Sequence, residues 1–186
     1  AVFPPAEGPG PQRAGPDTAT TFLTIWSRSV CMKATPTTHD LPLKDEGFRN
    51  LAEALDYAAD GRTGYNFYSG LGRLQIALPY ATLRDEARSL ARRLLALDLE
   101  RGARVALVAD TSPDFVRFFF ACQYAGMTPV PLPAKIQLGG HREYTGQLER
   151  LLSICQADVA IAGDGFLPFL EEAASRLDIR FAGSPQ

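Results

Sequence analysis

Residues 101–132 read RGARVALVADTSPDFVRFFFACQYAGMTPVPL, and their order decides the fold. Arg104–Ala109 is a short apolar run rich in valine, the composition of a strand buried on both faces. Thr111-Ser112-Pro113-Asp114 then supplies a helix start. A hydroxyl caps the open amides, a proline sits where its missing N–H is not needed, and an acid lies near the positive end of the helix dipole. Phe115, Phe118, Phe119 and Cys122 carry that helix to Ala125, and Gly126 stops it. Thr128–Leu132 follows as a second strand edged with prolines. Strand, helix and strand in this order make a βαβ unit, whose strands are parallel and whose crossover is right-handed.

The alternation continues downstream. Residues 133–142 read as a glycine-containing loop, and a helix over about 143–156 points Leu148, Leu151, Leu152 and Cys155 inward. Asp158–Ala162 is a third strand, Phe166–Arg176 a further helix, and Ile179–Ala182 the start of a fourth strand. Upstream, Leu83, Ala87, Leu90, Ala91, Leu94 and Leu95 mark one face of a helix over about 80–98. Gly64–Tyr68 and Arg73–Leu78 alternate around a glycine-containing turn as a β-hairpin, which Pro79 ends. Phe48, Leu51, Ala52 and Leu55 give a first helix over about 46–60. The expected fold class is therefore α/β: an N-terminal helix and β-hairpin, then a doubly wound, mostly parallel βαβαβαβ layer.

Composition narrows the function. The chain has 186 residues, 46% of them hydrophobic and 22% charged, with a net charge of −2. That balance gives no basic field for nucleic acid. Cys31, Cys122 and Cys155 are odd in number and widely spaced, which argues against a disulfide framework and for a reducing, cytoplasmic setting. His39 and His141 are the only histidines, so no zinc-ligand set is visible. No apolar run is long enough to span a bilayer. Half of the 14 prolines fall in residues 1–42, which reads as a disordered tail ahead of an ordered domain over 43–186. The first methionine is Met32, so residues 1–31 read either as an ordinary tail or as a segment upstream of a native start.

A search for chemistry finds scaffold and little else. Gly70-Leu-Gly72 lacks the third glycine of a dinucleotide fingerprint and lies in a hairpin turn. Asp110-Thr-Ser-Pro113, after the first parallel strand, holds no glycine, and there is no P-loop or nucleophile elbow. Thr111 and Ser112 read as helix capping before anion binding. Cys122 and Cys155 sit on apolar helix faces and read as core thiols. The rings of Phe115, Phe118, Phe119 and Phe120 read as core packing, with a lipid-contacting patch as the sharper alternative. His141 lies in the loop at the carboxyl side of the second parallel strand, where α/β folds place ligands. It is the candidate substrate-loop residue, with capping or plain solvation as the alternatives. No catalytic, cofactor-binding or metal residue is assigned.

Residues 80–132, YATLRDEARSLARRLLALDLERGARVALVADTSPDFVRFFFACQYAGMTPVPL, resemble the N-terminal region of the acyl-adenylate-forming (AMP-binding) superfamily of acyl-CoA synthetases, luciferases and adenylation domains. The shared pattern is a Tyr-x-x-Leu helix start, an R-G-x-R-V-A-L strand entry, a polar cap, a Phe-rich helix, Ala-Gly and a Val-Pro-Leu strand. The continuation PLPAKIQLGG…YTGQLERLLSICQADVAI is most similar to fatty-acyl-AMP ligases and long-chain acyl-CoA synthetases. The resemblance covers about residues 46–183 and implies a partial domain of a larger enzyme. Such enzymes activate a carboxylate with ATP and magnesium and pass the acyl group to CoA or an acyl carrier protein. The family's phosphate loop ending in P-K-G, its Y-G-x-T-E-like segment, its ribose-binding aspartate, its hinge and its C-terminal lysine find no match here. Two readings follow: a fragment of a fatty-acid ligase, inactive alone, or a binding and assembly module that pairs with a chain carrying the ATP site. A third, an unrelated doubly wound nucleotide-binding protein, is disfavoured by the missing glycine loop. An uncovered sheet edge also raises the expectation of self-association.

Overall fold

The computed structural model describes residues 41–44, 47–134 and 140–184, all within one unit, Thr38–Gln186. The expected tail lies outside the described residues except for Leu41 and Pro42, as does Cys31. In chain order the elements are α1 (Leu51–Ala58), β1 (Gly64–Tyr68), β2 (Leu74–Pro79), α2 (Tyr80–Leu95), β3 (Arg104–Ala109) and α3 (Pro113–Ala125). They continue with β4 (Thr128–Pro133), α4 (Gly140–Cys155), β5 (Val159–Ile161), α5 (Leu167–Ala174) and β6 (Phe181–Gly183).

Strands β3 to β6 form one parallel sheet in the order β4-β3-β5-β6. The first crossover runs from β3 outward to β4, and the next returns past β3 to β5. Right-handed connections that reverse direction put their helices on opposite faces. The packing agrees. Val105, Leu107, Val159 and Ile161 meet Phe118, Ala121 and Cys122 of α3 and Ala91 and Leu94 of α2. Their alternating neighbours Ala106, Val108 and Ala160 meet Leu148 and Leu152 of α4 and Leu170 and Ala173 of α5. Each fully buried leucine here contributes roughly 1.5–3 kcal/mol. A third cluster, Leu55, Leu78 and Leu83 with Phe67, Val116 and Phe120, seats α1 and the hairpin on α2 and α3.

Local chemistry sets the element ends. Ser112 is the N-cap of α3, its side chain accepting from the amide of Phe115, and Gly126 closes the helix at φ 69, a left-handed conformation that suits glycine. The hairpin pairs Tyr65 with Leu78 and Phe67 with Ile76. Gly64 is required there by space, since a Cβ would stand 2.2 Å from the carbonyl oxygen of Leu78.

Several boundaries differ from the sequence reading. The first helix begins at Leu51 rather than near residue 46, because extended Asn50 caps it by accepting from the amide of Glu53. Its buried positions are Ala52 and Leu55, while Leu51 is exposed and Phe48 packs on Tyr57. Helix α2 ends at Leu95, and Asp98 turns the chain at φ 53. Helix α4 begins at Gly140, so His141 lies in its first turn and not in a loop. His-Arg-Glu contains no breaker, and Glu143 sits favourably at the positive end of the dipole.

The two edges of the parallel sheet are unlike. Register pairs Pro129, Pro131 and Pro133 of β4 with Val105, Leu107 and Ala109. The Thr128 amide donates to the Ala103 carbonyl, so by alternation the amides of Val130 and Leu132 also face β3. The proline positions therefore face outward, and the outer edge of β4 has no N–H to donate over its length. Self-association through an open edge gains no support from β4.

Candidate functional site

Ligands of doubly wound sheets bind beyond the carboxyl ends of the strands, at the point where crossovers diverge. Here that point lies between β3 and β5, and it is nearly filled. Ser112 Oγ donates to Asp110 Oδ1 at 2.6 Å, which draws the carboxylate back over the start of α3. The other carboxylate oxygen lies against Gly163, where a Cβ would stand 3.1 Å from it. The space left among Asp110, Ser112, Asp114, Phe115 and Gly163 is about 10 Å³.

The open volume lies one strand over. A cleft of about 470 Å³ opens between the ends of β3 and β4, lined by Ala109, Asp110, Thr111, Pro133, Gln147 and Phe166. Tyr144 of α4 supports this cleft. Its hydroxyl donates to the Pro133 carbonyl at 2.7 Å, and its ring meets Phe166 and Phe169 edge-on or tilted. Burial, and secondarily the Asp110 carboxylate, raise its phenol above the ordinary value of 10.0. The hydroxyl of neighbouring Thr145 is buried and has no hydrogen-bond partner among the described residues.

His141 does not line the cleft. Its Nε2 lies 2.6 Å from Glu172 Oε2 on α5, and its ring sits 4.6 Å from that of Phe169. Its path to the cleft runs through Phe169 and Tyr144. Glu172 also approaches Arg176, which pairs with Glu149 at 2.8 Å, so His141 belongs to a polar clasp between α4 and the end of α5.

The remaining sequence candidates are structural. Cys122 is fully buried, and burial pushes its thiol up to about 12. Cys155 is part-buried with Sγ 3.4 Å from the Leu152 carbonyl, and burial raises it as well. Phe118 is in the core, Phe115 and Phe119 pack against it, and Phe120 joins the cluster under the hairpin, so these rings form no exposed patch. Thr111 lines the cleft, and Ser112 caps α3 as expected. Asp110, Tyr144, Gln147 and Phe166 were not singled out by the sequence. Only Tyr144 left a trace there, four residues before Leu148 on the same apolar stripe.

At the switch point the described residues Asp110 and Asp114 present carboxylates, which repel the phosphates of a nucleotide, and Asp114 is paired with Arg117 at 2.8 Å. Among the described residues, no group of three or more His, Cys, Asp or Glu could hold a metal ion.

Comparison with known proteins decides the family. Residues 58–179 match the model of the AMP-binding enzyme family. This chain belongs to that family. A Caulobacter vibrioides protein named as an acyl-CoA synthetase is 47% identical over 149 residues, which are 80% of this chain and 26% of the relative. The 4-hydroxybenzoate–CoA/benzoate–CoA ligase of Rhodopseudomonas palustris is 33% identical over 141 residues, 74% of this chain and 23% of the ligase. A structure from work on fatty acyl-adenylate ligases of E. coli and L. pneumophila superposes with a TM-score of 0.71 at 40% identity, over 76% of this chain and 26% of that one. The chain thus spans about a quarter of the length of the AMP-binding enzymes it matches. No helix among its described residues is long and apolar enough to cross a membrane.

Proposed function

We propose that this chain is part of a fatty-acyl-adenylate ligase. That enzyme joins a fatty acid to the AMP moiety of ATP with release of pyrophosphate, then passes the acyl group to the thiol of CoA or of an acyl carrier protein. The observation that carries the reading is the 40% identity and TM-score of 0.71 to the structure from work on fatty acyl-adenylate ligases. Magnesium and cationic or amide donors are needed to bring the two anionic substrates together. The described residues at the switch point, Asp110 and Asp114, offer carboxylates instead, so they act as scaffold and cleft wall, and ATP and magnesium are held elsewhere in the ligase. His141 acts as a positioning residue that fixes α4, and with it Tyr144 and Gln147, rather than as a substrate contact. The thiols of Cys122 and Cys155 support a reducing, cytoplasmic location.

The test is pyrophosphate release by the purified 186-residue chain with ATP, magnesium and saturated fatty acids of graded length. No release above background is expected. Turnover would contradict the assignment of the ATP site to residues outside this chain.

A further inference from the structure

The sequence holds two Asp-Gly pairs, Asp60-Gly61 and Asp164-Gly165. This dipeptide can close a ring when the glycine backbone nitrogen attacks the aspartate side-chain carboxyl carbon. Glycine favours the attack because no side chain shields its nitrogen or narrows its backbone angles. A folded chain opposes it where the glycine amide is hydrogen-bonded and packed, since that bond must break first.

The two sites differ in this respect. The Gly61 amide donates to the Ala58 carbonyl at 3.1 Å, and a Cβ on Gly61 would stand 3.2 Å from Leu41. Asp60 lies 4.0 Å from Arg84 of α2. Gly165 has none of these restraints. Asp164 and Gly165 are both exposed, in the turn between β5 and α5. Among the described residues the Gly165 amide has no acceptor and Asp164 has no ion pair, and a Cβ on Gly165 would meet nothing within 4 Å.

We propose that Asp164 is a site of succinimide formation and conversion to isoaspartate in the folded chain, and that the fold protects Asp60. As the Gly165 nitrogen bonds to Cγ of Asp164, the carboxyl C–OH bond breaks, and that hydroxyl leaves with the amide proton as one water. A second water then opens the ring. Opening at the side-chain carbonyl restores aspartate; opening at the backbone carbonyl leaves isoaspartate, whose main chain is one carbon longer. The Gly163 carbonyl accepts from the amides of Phe166 and Leu167 at 2.9 and 3.0 Å, which closes this turn and starts α5. An added backbone carbon at residue 164 opens the turn and loosens Phe166, which lines the cleft. The proposal rests on local geometry and on neither family nor substrate.

The 186-residue chain is incubated in mildly acidic buffer, with and without denaturing urea, and its peptides are separated and sequenced by mass spectrometry. Succinimide is one water lighter than aspartate, and isoaspartate differs in retention and fragmentation. In the folded chain isoaspartate is expected at residue 164 at least tenfold faster than at residue 60, and in urea the two rates agree within threefold. Gly165→Ala, which the open space accepts, is expected to slow conversion at least fivefold with the urea midpoint unchanged. In the converted fraction the Phe166 and Leu167 amides are expected to exchange faster with solvent. Overturning results are equal rates at the two sites in the folded chain, isoaspartate at residue 164 only in urea, conversion of Gly165→Ala at the parent rate, or unchanged Phe166 and Leu167 exchange after conversion.

Discussion

The hydroxyl of Tyr144 donates to the Pro133 carbonyl at 2.7 Å, so the first turns of α4 are tied to the last residue of β4. That bond fixes one wall of the cleft. Tyr144→Phe leaves a carbonyl unpaired at little change in volume. The expected loss is about 1 kcal/mol of stability, read as a lower urea midpoint at constant slope. A neutral result would mean that water replaces the phenol.

Thr145 is the converse case. Its hydroxyl is buried with no partner among the described residues, so folding carries the cost of desolvating it. Thr145→Val keeps the shape and removes that cost. Stability is expected to stay the same or rise by up to about 1 kcal/mol, measured by the same urea titration. A loss larger than that would reveal a bond to Thr145 in solution.

Buried acids make the fold sensitive to alkali. Burial raises Cys122 from its ordinary 9.0 to about 12, and burial and then the Asp56 carboxylate raise Tyr124. Groups whose folded values lie above their unfolded ones contribute stability that is fully present below the unfolded values. That contribution is lost as pH rises from about 9 through the folded values. Thermal midpoints are expected to hold up to about pH 8.5 and to fall steadily above it, with Cys122→Ala and Tyr124→Phe each flattening the fall. For the same reason Cys122 is expected to resist iodoacetamide at pH 8 until the chain is unfolded, as mass spectrometry of the labelled peptides would report.

Much of the fold is legible in the sequence because its signals are local. Ser112-Pro113-Asp114 and Gly126 bound α3 by capping chemistry alone, and the valine-rich run at Arg104–Ala109 marks β3 to the residue. The start of α1 was missed because Phe48 mimics a helical period, whereas the side chain of Asn50 decides where the helix begins. His141 was read into a loop because the glycines before it suggest one, although Gly140 at φ 74 leads directly into α4. The cleft was not legible at all. Thr111, Pro133, Gln147 and Phe166 share no motif and meet only when β3, β4 and α4 are assembled. The prolines of β4 are visible in the sequence, but which way their missing amides point depends on the register with β3.

The most direct test joins this chain to the remainder of the Caulobacter vibrioides relative in one polypeptide and measures ATP-dependent pyrophosphate release with dodecanoate and with benzoate. The expected result is release with dodecanoate at least tenfold above that with benzoate, and none from the 186-residue chain alone. Preference for benzoate would contradict the assignment of this sequence to a fatty-acyl-adenylate ligase, and equal release from the isolated chain would contradict the placement of the ATP site outside it.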